Sequence, residues 1–222
     1  WSSDVCSSDL GTIQLRLGKP DAALLPLRKA AIGQPGDTEI HRELARACQQ
    51  TGNLDEAIRH LEYCLAIKPE DAAALGDLGH LLHRQEKLAK AIDCLEKAVA
   101  VEPGNTRTLV SLGIVLMDAG LFDASNRAFN QALENNPQDL AAICGKGELL
   151  ERQDRDQEAY DLVEPLLGQH TAHPGLASVL LKISTSLHRQ HEAVAYATRA
   201  LANPGIWPEA AESLHFLLGK IL

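Results

Sequence analysis

Four prolines, Pro35, Pro69, Pro103 and Pro137, stand 34 residues apart along this chain. Their surroundings match: AIGQPGD, LAIKPED, AVAVEPGN and LENNPQD. A fixed period of this length constrains the fold more than composition does. Each period is one supersecondary unit that must bury its apolar face against its neighbours. Counted from residues 4, 38, 72, 106, 140 and 174, further columns align. The seventh position reads Leu10, Leu44, Leu78, Leu112, Lys146, Leu180, and the eighth reads Gly11, Ala45, Gly79, Gly113, Gly147, Leu181. The twentieth reads Ala23, Ala57, Ala91, Ser125, Ala159, Ala193.

Each unit reads as two amphipathic helices joined by a tight turn. Ile40, Leu44 and Ala47 form an apolar stripe at helical spacing. Gly52 suits a left-handed helix cap, and Asn53 with Glu56 reads as a capping box opening the next helix. Pro69 lies past that helix, and Pro20 fits the first turn of its own. Pro26 and Pro165 fall inside second helices, where kinks are expected. Small residues at the eighth and twentieth positions let paired helices approach closely. The fold class is therefore all-α. Aromatics are only 4% of the chain against 45% hydrophobic residues, a composition natural where Leu and Ala pack helix on helix.

The 34-residue period, the Leu-Gly pair, the Ala columns and the closing Pro resemble the tetratricopeptide repeat family. The resemblance implies a right-handed α-solenoid of antiparallel helix pairs, with six tandem repeats over 11–207 and a final helix or truncated seventh repeat over 208–222. Departures are local: Leu75, Leu82 and Cys48 replace the family's usual aromatics, Lys146 replaces Leu, Thr171 replaces Pro, and His188 replaces the turn Gly. The closing SLHFLLGKIL also resembles the last repeat of bacterial tetratricopeptide–sulfotransferase proteins. That likeness implies an alternative in which the repeats precede a catalytic domain beyond residue 222.

The opening WSSDVCSSDL fits none of the columns. It has no basic residue and no apolar run, so it is neither a secretory signal nor a transit peptide. Back-translated, it matches a short-read sequencing adapter, and residues 1–10 are read as non-native, with the native N-terminus missing.

With 21 Lys+Arg, 30 Asp+Glu and a net charge of −9, the chain lacks the basic footprint of a nucleic-acid binder. No apolar run is long enough to span a membrane. Phosphate-loop, HExxH and GxSxG motifs are absent, so no catalytic residue or cofactor is expected. Cys48, Cys64, Cys94 and Cys144 contain no CxxC pair and read as buried, reduced thiols, the basis for expecting a cytoplasmic protein. The pairs His80/His83, His170/His173 and His188/His191 supply two ligands each, too few for a metal site.

Positions two, five, nine, twelve and thirteen of each repeat share one face of the first helix. The resemblance turns that face toward a concave, peptide-binding groove. Arg42, Arg46, His80, His83, Arg84 and Arg107 then converge as ligand-binding candidates. The expected function is a non-catalytic interaction scaffold for a protein or peptide partner with acidic character. The family's clamp for chaperone tails is not expected, because Asp77 and Ser111 stand at two of its positions. The Leu214, Leu217, Leu218 and Ile221 stripe near the end is read as open to self-association or to further chain.

Overall fold

The computed structural model describes residues 3–221, with side chains from residue 7. Trp1 and Ser2 of the segment read as non-native, and Leu222, lie outside them. The described residues hold thirteen α-helices and no strand, in two units that divide between Ala119 and Gly120. Unit 1 contains α1 (Ser3–Arg16), α2 (Pro20–Gly33), α3 (Thr38–Gln50), α4 (Leu54–Ile67), α5 (Ala72–Arg84), α6 (Leu88–Val101) and α7 (Thr106–Asp118). Unit 2 contains α8 (Phe122–Asn135), α9 (Leu140–Glu151), α10 (Asp156–Leu167), α11 (Pro174–Ile183), α12 (Gln190–Leu201) and α13 (Pro208–Ile221). Each unit stacks antiparallel helix pairs, the arrangement of an α-solenoid.

The first helices begin at a column that the proline contexts contain but that sequence reading passed over. Asp37, Asp71, Asn105 and Asp139 follow the repeated prolines by two residues, and each accepts a backbone N–H of its own first turn. His173 occupies the same column and accepts Leu176 N–H at Nδ1, 3.4 Å away. These oxygens and one nitrogen satisfy donors that a helix start otherwise leaves unpaired.

Second helices start differently. The capping box expected at Asn53 and Glu56 does not form: Asn53 makes no side-chain cap, and its amide instead donates to Thr51. Glu56 is drawn away by Arg28, which donates to both its oxygens at 2.9 Å. The turn itself does the work. Gly18, Gly52, Glu86, Gly120, Asp154 and His188 all hold positive φ, at a 34-residue spacing. The following N–H reaches back to the preceding helix, as in Asn53 N to Cys48 O at 2.8 Å and Arg189 N to Ser184 O at 2.9 Å. This is the bonding of a Schellman cap. His188 therefore keeps the turn geometry of the repeats that carry Gly.

A β-carbon at positive φ is strained, which gives a direct test. His188→Gly is expected to stabilise unit 2 by about 0.5–1 kcal/mol, the left-handed penalty less the added chain entropy of glycine. Gly52→Ala, where the added methyl meets no neighbour within 4 Å, is expected to cost about 1 kcal/mol through backbone strain alone. Urea denaturation of each variant checks both signs.

The core runs along the small columns. Ala23, Ala57, Ala91, Ala159 and Ala193 are buried, as is Ser125. Leu27, Leu61, Leu95, Phe129, Val163 and Ala197, four residues later in each repeat, are buried too. A β-carbon on Gly79 would stand 2.6 Å from Leu95 Cγ, and one on Gly11 would stand 2.4 Å from Leu27 Cγ. The helices of a pair thus approach as closely as the small residues were expected to allow. Pro26 and Pro165 sit within helices that continue past them.

Two expectations change. Cys48 and Cys64 are buried, but Cys94 and Cys144 are only partly so; all four are free. The α13 stripe faces inward: Leu214 and Leu218 are buried, and Leu217 and Ile221 pack on the core of α11 and α12. Among the described residues, the large apolar side chains left exposed at this end are Trp207 and Phe216. Among the described residues no helix is long and apolar enough to cross a membrane.

Candidate functional site

A cleft of about 310 Å³ opens between α3, α5 and α7. Three first helices build it, as the shared helical face predicts. Its floor is α5, where Ala73 and Gly76 keep side-chain bulk away; the nearest atom to a β-carbon on Gly76 would be Thr108 Oγ1, at 3.9 Å. Arg42 and Arg46 of α3, His80 of α5 and Arg107 of α7 line it, with Asp77 between them. Four of the six residues singled out from sequence therefore meet in one place.

The other two are near but differently used. His83 Nε2 lies 2.8 Å from Asp118 Oδ2 on α7, so this histidine ties two first helices together. Arg84 is exposed on α5, and its charge acts on His80.

The electrostatics are more balanced than the arginines alone indicate. Arg42 pairs with Glu39 three residues back and lies 3.7 Å from Asp71 Oδ1. Its Nε is buried without a partner. Arg46 pairs at 2.7 Å with Glu43, which is buried. Asp77 is half-buried with no hydrogen bond among the described residues. Burial raises its pKa, and Arg46, Arg107, Arg42 and His80 pull it back down. Three guanidiniums of the cleft, Arg42, Arg46 and Arg107, thus act against Glu39, Glu43, Asp71 and Asp77. Among the described residues, Arg84 and Arg107 have no ion pair, so their charge is the part left for a ligand.

His80 has a lowered pKa because protein around it displaces water, with Arg84 and His83 adding repulsion. Its surface remains open to solvent, so desolvation is partial. Both causes disfavour the charged imidazole.

No convergence of nucleophile, base and oxyanion donors is present here, and the thiols lie elsewhere. Cys48 and Cys64 are pushed up to about 11 and Cys144 to about 12, chiefly by burial, so none is a ready thiolate. Among the described residues no three His, Cys, Asp or Glu side chains gather as metal ligands. What the cleft offers is charge, hydrogen-bonding groups such as Asn105 and Ser111, and an open channel across successive first helices.

The comparisons with known proteins agree with this architecture. Family descriptions of the tetratricopeptide repeat match residues 14–62, 52–110 and 110–174. No curated protein matches the chain by sequence. A crystallised tetratricopeptide repeat protein from Parabacteroides merdae is 23% identical, with a TM-score of 0.81 over 97% of this chain and 84% of that one. PilF of Pseudomonas aeruginosa is 19% identical, with a TM-score of 0.74 over 96% of each chain. PilW, described as a type IV pilus biogenesis factor, is 18% identical, with a TM-score of 0.80 over 97% of this chain and 99% of that one. At these identities the structures show a shared fold. The matched repeats span most of the sequence, and the chain belongs to the tetratricopeptide repeat family.

Proposed function

We propose that this protein is a non-catalytic interaction module whose cleft across α3, α5 and α7 holds an extended, acidic segment of a partner protein. The observation that carries the reading is the pairing of an open, small-residue floor at Ala73 and Gly76 with Arg107, a guanidinium on the wall without an ion pair; Arg84, exposed on the same α5 and also without an ion pair, adds charge nearby. Arginine suits carboxylates because its planar fork can bind both oxygens. Arg42 and Arg46, held by their own carboxylates, fix the wall rather than supply free charge. Asp77 excludes a carboxylate from the centre and directs acidic side chains to the rim. Binding should weaken as salt rises, because the Debye length shortens from about 10 Å at 0.1 M to about 3 Å at 1 M.

The test is calorimetric titration of acidic and basic peptides against the protein and its Arg84→Glu/Arg107→Glu variant. Each exposed contact is worth about 0.2–1 kcal/mol, and reversal adds repulsion of the same order. The variant should therefore bind acidic peptides about tenfold more weakly, where about 1.4 kcal/mol is one factor of ten. Equal binding by both proteins, or a preference for basic peptides, would sink the proposal.

A second reading, that the repeats serve a larger enzyme such as a sulfotransferase, is supported by the HFLLGK run of α13. Its test is whether the gene encodes a catalytic domain after residue 222.

A further inference from the structure

Column seven carries Leu in every repeat but the fifth, where Lys146 stands on α9. Leu44, Leu78, Leu112 and Leu180 are buried. Lys146 is half-buried, and its Nζ donates to Asn130 Oδ1 of α8 at 2.7 Å. Beside it a cleft of about 420 Å³ opens between α8, α9 and α10, within the roughly 300–1,000 Å³ usual for small-molecule sites. Leu150 and Leu162 form its apolar surface, and Arg155, Glu158 and Asp161 stand around it.

The charges sort into spent and unspent. Arg155 closes on Glu158 through two bonds of 2.7 Å, which occupies both groups. Asp161 receives only the amide of Gln157, at 2.7 Å on Oδ1. Among the described residues, neither Lys146 nor Asp161 has an oppositely charged group within 4.0 Å. One cleft thus presents an ammonium and a carboxylate without an ion pair of their own, the ammonium acting at longer range on Glu158, and two leucines.

We propose that this cleft binds a free apolar α-amino acid, its carboxylate on Lys146, its ammonium on Asp161 and its side chain on Leu150 and Leu162. A simple anion satisfies Lys146 but meets Asp161 and Glu158 as like charges. A residue inside a peptide has neither charge, and a peptide terminus has only one. The free amino acid carries both, on adjacent atoms beside an apolar group. Charge-assisted hydrogen bonds at both ends are the strong kind, so losing either end should be costly.

The experiment is NMR titration of the protein with L-leucine, L-leucinamide and N-acetyl-L-leucine. The amide lacks the carboxylate and the acetyl derivative lacks the ammonium. Saturable shifts confined to residues 126–162 are expected with leucine, and at least tenfold weaker binding with either derivative. Lys146→Met should weaken leucine binding at least tenfold while its helical circular dichroism and cooperative melting are kept, since the column accepts an apolar residue elsewhere. Asp161→Asn, an exposed change, should weaken leucine and leucinamide but spare N-acetyl-leucine. Absence of saturable leucine binding, equal binding of the three ligands, or full retention by folded Lys146→Met would overturn the proposal.

Discussion

Replacing Phe129 with alanine is expected to destabilise unit 2 by about 3–5 kcal/mol, the range for deleting a fully buried aromatic ring. Phe129 on α8 is fully buried, and its ring lies against the bare backbone of Gly145 on α9. A β-carbon on Gly145 would stand 2.5 Å from Phe129 Cε1 and 2.7 Å from Cζ. Non-bonded carbons essentially never sit that close, so the glycine and the ring specify one another. Gly145→Ala alone should cost about 1–3 kcal/mol through overpacking. Combining it with Phe129→Leu should recover part of that loss, because neighbouring substitutions are not additive. Urea denaturation followed by circular dichroism reads the wild type, Phe129→Ala, Phe129→Leu, Gly145→Ala and the Gly145→Ala/Phe129→Leu double variant. Strictly additive losses would show that ring and glycine do not share the space.

Acidification is the second large effect, and it should act through His173. This histidine caps α11 by accepting Leu176 N–H at Nδ1, a role that needs the lone pair free. Burial, then the neighbouring His170, lowers its pKa. The neutral form is therefore the one the fold favours. As pH falls through the usual histidine range, the unfolded chain takes up its proton first, and stability drops. The contribution is complete above that range and gone once pH passes the lower folded value.

His60 adds to the same trend in unit 1. Burial and then His41 lower its pKa, and its Nδ1 lies 3.0 Å from Nδ1 of His41. His41 Nε2 faces the Pro35 carbonyl, which only accepts, so His41 donates there and must accept from His60. His173→Asp restores the residue type of the other caps, each worth about 0.5–2 kcal/mol. It should raise the thermal midpoint at pH 5 more than at pH 7.5. An identical gain at both pH values would remove His173 as the source.

Much of this was legible in sequence because the period fixed the phase of every column. Columns eight and twenty predicted close helix approach, and Gly52 predicted its own conformation. The first-helix caps were equally readable, since Asp or Asn follows each repeated Pro by two residues. Glu86, Asp154 and His188 share the column of Gly18, Gly52 and Gly120, so the period gave their place in the turn, but residues other than Gly do not signal positive φ by their own type.

The cleft divides the same way. Helical spacing brought Arg42, Arg46, His80 and Arg107 together. The carboxylates that spend the first two, Glu39 and Glu43, lie one turn away and were readable as i, i+3 pairs. The contact of His83 with Asp118 spans one repeat plus one residue, a relation that appears only once successive first helices are packed side by side. The Nδ1 contact of His41 with His60 depends on the rotation of α3 against α4, which no column reports.

The caps also set where the chain could be cut and rejoined. Asp71 and Asn105 hold equivalent places at the starts of α5 and α7, so the segment from 72 to 105 runs from one cap to the next. Removing it would place Thr106 directly after Asp71, and the shortened chain would still read cap, then first helix, in the same phase. Inserting a second copy there would leave the phase equally intact. A gene built this way can change length by whole repeats through unequal recombination, while any insertion that is not a multiple of 34 residues displaces every cap downstream of it. Array length is thus free to drift in steps, and the punctuation is what keeps each step foldable.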